Sequence, residues 1–188
     1  MSDSLRGQFL VAGCGLRDPN FFKTVVLIVE HGPDGAMGLV VNRPSSVTVA
    51  HALTGHLDLP KTKDMVYCGG PVEPAALFVI HDCGNLDPDE TPVVPGVYMG
   101  SSAEVFENIV CPNQDKPQCK KYRVYCGCAG WGSGQLEDEM ERGDWLVLPA
   151  QAGFVFHADP YAVWDELISC SYRAKRLLPL ECEHPEWN

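Results

Sequence analysis

Hydrophobic and polar positions divide this chain into short apolar runs separated by turn residues, with few long amphipathic stretches. Phe9–Ala12, Thr24–Glu30 and Ala36–Asn42 are brief and rich in Val, Ile and Leu, which predicts strands. The last two flank His31-Gly32-Pro33-Asp34-Gly35, whose glycines and proline supply turn geometry, so a hairpin is expected there. These runs are almost continuously apolar, the pattern of strands covered on both faces. Further strands are predicted at Met65–Cys68, Leu77–His81, Gly96–Met99, Tyr122–Cys128 and Trp145–Leu148.

Helical periodicity is scarcer. Val47–Leu53 reads as a helix of about two turns stopped by Gly55. Ser101-Ser102-Ala103-Glu104 has capping-box spacing, and Val105, Phe106 and Ile109 then fall on one face. Asp159-Pro160 predicts an N-cap with proline at the first helical position, opening a helix that runs to Tyr172 and buries Trp164, Leu167 and Ile168. Strands and helices do not alternate regularly, so the expected class is α+β rather than a doubly wound sheet. Asp82–Pro95 and Cys111–Lys120 have loop length, not linker quality, and a single domain over residues 1–188 is expected.

Charge narrows the function classes. The chain has 14 Lys and Arg against 25 Asp and Glu, a net charge of −11. Charge of that sign repels nucleic acid and anionic lipid, and the basic patches Lys120-Lys121-x-Arg123 and Arg173-x-Lys175-Arg176 are short. Direct contact with nucleic acid and membrane association are both disfavoured. No apolar run reaches the roughly 20 residues of a membrane span, and the N-terminus has no secretory pattern, so a cytoplasmic location is expected. The nine cysteines, at positions 14, 68, 83, 111, 119, 126, 128, 170 and 182, are odd in number and read as mostly reduced.

Candidate chemistry concentrates in Gly127–Glu141, where Gly127, Gly130, Gly132 and Gly134 follow a predicted strand and precede a predicted helix. Known fingerprints fail at named positions. Ser133 stands where a Walker loop needs Lys, and Gln135 occupies the third glycine of a dinucleotide motif. Trp131 and Gln135 exclude a nucleophile elbow at Ser133. What is left is a backbone suited to close approach, with Trp131 set in it and Gly134 placed to cap an acidic helix bearing Glu137. Two readings stay open: a tight strand-to-helix connection, or a surface that binds a small molecule or another protein. Glu30-His31 and Asn42-Arg43 form a second candidate set at opposite ends of a strand, with Arg43 suited to a carboxylate or an anion. An enzymatic alternative, possible only if His31 and Trp131 share a cleft, would use Glu30 or His31 as acid or base. Gly69-Gly70-Pro71-Val72 reads as a structural turn unless it packs against the glycine-rich segment. Cys126 and Cys128 are expected on one side of their strand. Neither they nor His51, His56 and His81-Asp82-Cys83 complete a metal site, and no cofactor motif is present. Cys128 is the cysteine best placed to be reactive, since it borders the glycines.

Taken together the motifs resemble the bacterial YqgE/AlgH family over nearly the whole chain. The resemblance rests on Gly7–Asp18 with Thr24–His31, on Gly35-Ala36-Met37-Gly38-Leu39-Val40-Val41-Asn42-Arg43-Pro44, on Gly69-Gly70-Pro71-Val72, and on Gly127-x-Ala129-Gly130-Trp131-Gly132-x-Gly134-Gln135-Leu136-Glu137. It implies an α+β fold with a largely antiparallel, bifurcated sheet curled into a partial barrel and flanked by a few helices. It implies no activity, although part of the family carries the label of a regulator of alginate biosynthesis. Absence of a helix-turn-helix pattern and the acidic charge speak against direct DNA binding. Members commonly have Tyr where this chain has Cys128, so a role resting on that phenol is lost here.

Overall fold

The computed structural model describes residues 4–55, 63–87, 89–100, 102–111 and 119–176. Among them run strands β1 (Gln8–Ala12), β2 (Val25–Gly32), β3 (Gly35–Val40) and β4 (Pro44–Thr48), helix α1 (Val49–Ala52), then β5 (Met65–Cys68), β6 (Val72–His81) and β7 (Tyr98–Met99). Helix α2 (Ala103–Val110), β8 (Tyr122–Gly132), α3 (Gln135–Glu141), β9 (Trp145–Pro149), α4 (Ala152–Val155) and α5 (Val163–Arg176) follow. The class is α+β, with a mostly antiparallel sheet that does not close. Its order is β4-β5-β8-β3-β2-β1-β9, with β6 joined to β8 and β7 joined to β6.

The apolar runs explain the centre. Phe9 to Ala12 and Val25 to Ile28 are wholly buried, because β1 lies between β2 and β9 and carries α5 on its outer side. Trp164 of α5 donates its indole N–H to the Ala12 carbonyl at 2.8 Å, while Val163 and Leu167 are buried. The sheet separates this core from a second one, in which α1 and α2 cover β5, β6 and β8 through Val49, Leu53, Val66, Val79, Val105 and Val124.

Long strand β8 is where the sheet divides. Val124 pairs with Val66 of parallel β5 and with Val79 of antiparallel β6, so β5 and β6 occupy opposite edges of one strand. They are consecutive in sequence, and the link between them must therefore cross β8. Gly69-Gly70-Pro71 makes that crossing at Gly127. A Cβ on Gly69 would fall onto the Gly127 carbonyl, and one on Gly70 onto the Cys128 peptide. Gly127 itself has φ 67°, and its Cβ would lie 2.5 Å from the Gly70 carbonyl oxygen. The turn does pack against the glycine-rich segment, and side chains are excluded at Gly69, Gly70 and Gly127.

Local geometry departs from the sequence-based expectations at several points. Residues 44–48 form β4 against β5, leaving α1 as one turn capped by Thr48, whose hydroxyl accepts from His51 N. The α2 cap is Ser102, one residue later than capping-box spacing indicates, and Ser101 lies outside the described residues. Asp159 forms a turn with its side chain on Tyr161 N, so α5 begins at Val163 rather than at Pro160. Helix α4 has no clear sequence signal. Left-handed Gly127 makes β8 lose its alternation, placing Cys126 against the second core and Cys128 in the first rather than on one side. His56, Cys182 and most of Cys111–Lys120 lie outside the described residues.

Candidate functional site

Sheet register assembles the region around Trp131. His31 of β2 pairs with Ala36 of β3, which pairs with Trp131 of β8, and Glu30, Met37 and Gly130 form the adjacent row. Gly127, Gly130 and Gly132 are strand residues with backbone groups in or near this ladder, and only Ser133-Gly134 turns into α3. Gly134 takes φ 76° and is the N-cap, so this glycine serves conformation rather than phosphate contact.

Helix α3 then spans a gap. Strands β8 and β9 are separated in the sheet by β3, β2 and β1, yet Trp131 and Trp145 lie with ring centroids 6.0 Å apart. The sheet is curled enough to bring β9 back towards β8. Glu139 of α3 closes the opening, since its Oε2 accepts both indole N–H groups at 2.8 Å. Its Oε1 accepts from Gln135 Nε2 at 3.0 Å, and Gln135 Oε1 accepts from Gly132 N at 3.1 Å. Phe21 completes the aromatic cluster, 6.1 Å from Trp131 and 5.4 Å from Trp145.

His31 is tied in as firmly. Its side chain is 6% exposed, its Nδ1 accepts from Leu5 N at 3.1 Å, and its Nε2 lies 3.1 Å from Glu137 Oε1. An acceptor at Nδ1 places the proton on Nε2, which donates to Glu137. Ser133 donates to the Pro33 carbonyl at 2.7 Å. A shallow depression of about 450 Å³ remains, lined by Glu30, His31, Asp34, Met37 and Trp131 among others. His31 and Trp131 therefore share one concavity.

Asn42 and Arg43 stand outside that depression but support it. Asn42 accepts from Val25 N and donates to the Lys23 carbonyl, while Arg43 donates to the carbonyls of Asn20 and Phe22. Together they hold the turn that carries Phe21 to Trp131. Arg43 is thus spent on backbone carbonyls, without a carboxylate or anion among these contacts. Cys128 is buried, and burial, followed by Glu73, pushes its thiol up, the reverse of an activated cysteine. Among the described residues no three His, Cys, Asp or Glu side chains are grouped to hold a metal ion, and the described cysteines are free thiols.

A second polar cluster is built on the His81-Asp82-Cys83 fragment, which in the sequence reads only as an incomplete metal set. Buried His81, at the end of β6, faces Glu90 of the following loop, whose side chain is 4% exposed. His81 Nδ1 accepts from Cys83 N, and its Nε2 is 3.4 Å from Glu90 Oε1 and 3.2 Å from Oε2. Only Oε1 is met at hydrogen-bonding geometry, and buried Oε2 has no such partner. Burial, then Asp87, pushes the Glu90 carboxyl up to about 7, while burial pulls His81 down. Glu90 lines a cleft of about 1070 Å³ along β6 and α2. Glu139 was legible only as part of an acidic helix, and Glu90 only as one acid in a polar loop.

Fold and site define a class: an α+β protein with a curled open sheet, a glycine strand crossing and a carboxylate-bridged tryptophan pair. The chain belongs to the AlgH-like family, whose model matches residues 9–171. A UPF0301 protein of Thioalkalivibrio sulfidiphilus is 37% identical over 168 residues, 87% of this chain and 88% of its own. The solution structure of the AlgH protein from Pseudomonas aeruginosa is similar with a TM-score of 0.72 and 32% identity, covering 98% of this chain and 96% of that one. A crystal structure of a Corynebacterium diphtheriae protein shares the fold at TM-score 0.71 and 24% identity, over 96% and 90% of the two chains. Among the described residues no helix is long and apolar enough to cross a membrane.

Proposed function

We propose that this protein is a non-catalytic binding module that acts through the Gly127–Glu141 surface and the adjoining Glu30–Asp34 hairpin. The observation that carries this reading is that most of the region's reactive side chains are already committed, with exposed Glu30 the exception. Both His31 nitrogens are engaged, Glu139 is held by two indoles, and Ser133 is fixed on a carbonyl. General acid–base catalysis needs a nitrogen or carboxylate free to face substrate, which disfavours the enzymatic alternative although His31 and Trp131 share a concavity. A surface with exposed Gly130, Gly132, Ser133 and Gly134, flanked by hydrogen-bonded Trp131 and Gln135, suits contact by a partner at a reduced ordering cost. Exposed Glu30, Asp34, Asp138 and Glu141 make that partner basic in character.

The test is native purification with partner identification, followed by titration of the purified partner against wild type and Gly132→Arg. Position 132 is exposed and its Cβ would meet only the Gln135 Oε1 atom at 4.0 Å, so the variant adds bulk and positive charge without disturbing packing. Binding that weakens by about tenfold or more supports the surface. Equal affinity for both proteins would move the interface elsewhere.

A further inference from the structure

Strands β5 and β8 bring two cysteines face to face. They run parallel, and Cys68 is the direct partner of Cys126 in their register. Tyr67 and Tyr125, the pair before them, have ring centroids 5.5 Å apart on the side of the first core. Side chains alternate along a strand, so Cys68 and Cys126 share the opposite side, where Cys126 packs against the second core. Their thiols meet there in a hydrogen bond. Neighbouring strands lie about 4.8 Å apart, inside the window of roughly 4.4–6.8 Å between Cα atoms that a disulfide accepts. Both residues are half-buried, and Cys68 ends its strand beside the Gly69-Gly70 turn.

We propose that Cys68 and Cys126 form a dithiol modification site, which a low-molecular-weight disulfide such as oxidised glutathione converts reversibly into a cross-strand disulfide. A cysteine can serve a core simply as a small apolar filler, but that role does not call for two thiols opposed on paired strands. Among the described residues no other two cysteines are strand partners. The site packs against the second core whereas Trp131 belongs to the first, so it is independent of the binding surface proposed above. The new bond would sit one residue before the point where the β5–β6 link crosses β8 at Gly127, and would pin that crossing covalently.

The exchange has two steps. Cys68, at the end of its strand, loses its proton to water and its sulfur attacks one sulfur of oxidised glutathione. A mixed disulfide forms, and one glutathione leaves as thiolate. Burial, followed by Cys68, pushes the Cys126 thiol up, which suits it to be the second, resolving group rather than the opening nucleophile. Cys126 then loses its proton to water and attacks the Cys68 sulfur, expelling the second glutathione. The two cysteines together give up two electrons, and one glutathione disulfide is reduced to two thiols.

The test incubates the reduced full chain at pH 8 with excess oxidised glutathione, alkylates the remaining thiols with iodoacetamide, and maps the peptides without reduction. Cys68 and Cys126 are expected to be joined, in at least about tenfold excess over any link of either to another cysteine, because folding holds them together. Dithiothreitol should return both to alkylation. Oxidation in urea should lose the preference, since the unfolded chain no longer sets the register. Cys126→Ser should halt at the mixed disulfide with glutathione left on Cys68, and Cys68→Ser should leave Cys126 unlinked. Full alkylation of both cysteines in oxidised wild type would overturn the proposal. So would a link confined to Cys83 and Cys119, whose thiols also meet, or folded Cys126→Ser with no glutathione on Cys68. Should either variant fail to fold, folded against urea-unfolded wild type decides, because equal yields of the Cys68–Cys126 link are incompatible with a site built by the sheet.

Discussion

The end of the sheet under α3 and the cleft along β6 both hold carboxylates against protein donors, yet they treat them in opposite ways. Under α3, the Glu139 carboxylate accepts two indole N–H groups and a glutamine amide, and Glu137 accepts from His31. Along β6, Glu90 has one histidine, one vacant oxygen and a carboxyl pushed up to about 7. A polar group with its hydrogen bonds satisfied contributes to stability and specifies a fold, whereas one left partly unsatisfied is held at a cost to stability. The glycines at Gly69, Gly70 and Gly127 are therefore an architectural device, and the less completely bonded carboxyl, Glu90, lies in a loop without a recognisable motif.

The strongest way to break this comparison is to attack the architecture at its tightest point. Gly70→Ala would drive a methyl group into the Cys128 peptide where the β5–β6 link crosses β8. Backbone meets backbone there, so no side chain can swing aside. Loss of about 4 kcal/mol or more in urea unfolding, or failure to fold, is expected. A loss below about 1 kcal/mol would mean that the crossing has slack and that these glycines serve something other than packing.

Next in size is Glu139→Ala, which strips the acceptor from two buried indoles at once. A loss of about 3 kcal/mol is expected, with Glu139→Gln recovering part of it because one amide oxygen remains. Unfolding followed by tryptophan fluorescence reports on both, since Trp131 and Trp145 are the residues affected. If Glu139→Ala is as stable as wild type, the network is incidental and the α3 surface regains a claim to chemistry.

How legible were these two regions in sequence? The apolar runs place each of the eight predicted strands, with Met65–Cys68 at its predicted limits, because strand burial depends on local composition. Glycine density marks Gly69-Gly70 and Gly127 correctly as places of close approach, but not that they approach each other. That pairing depends on β5 and β6 taking opposite edges of β8, a long-range choice without a local signature. Strand β4 is hidden for a related reason: Pro44–Thr48 is half exposed and polar, and its pairing with β5 overrides the helix suggested by Val47–Leu53. Glu90 is the extreme case. Its burial arises from the packing of a loop against β6 and β7, so composition alone makes it one acid among 25 Asp and Glu.

A smaller effect tests the cleft through stability alone. Because the folded carboxyl of Glu90 is raised to about 7 from 4.5, the folded state holds its proton more tightly than the unfolded chain does. Its contribution is complete below pH 4.5 and is lost as pH rises through 7. His81, lowered from 6.5, acts in the opposite sense, with stability lost as pH falls below 6.5, so the two overlap only in acid. Because His81 is retained in Glu90→Gln, the difference between the two proteins isolates the Glu90 contribution between pH 6.5 and 8. Wild type should lose about 1 kcal/mol relative to Glu90→Gln over that interval. Parallel stability curves would show that Glu90 ionises normally, and the contrast with Glu139 would lose its electrostatic half.

The smallest expected effect lies on the surface that carries the proposed binding. Gly132 differs from Gly70 in every respect that makes a glycine obligatory: its φ is not positive, it is exposed, and a Cβ would meet open space apart from the distant Gln135 amide. Arginine at 132 should accordingly change unfolding stability by no more than about 0.5 kcal/mol, while still blocking a partner. A marked loss of stability instead would mean that the Gly132–Gln135 hydrogen bond at the start of α3 has no tolerance. The distinction between a glycine kept for the fold and a glycine kept for contact would then fail at the position where it is most cleanly drawn, since both neighbours of Gly132 along the segment, Trp131 and Ser133, are already fixed by bonds to Glu139 and Pro33.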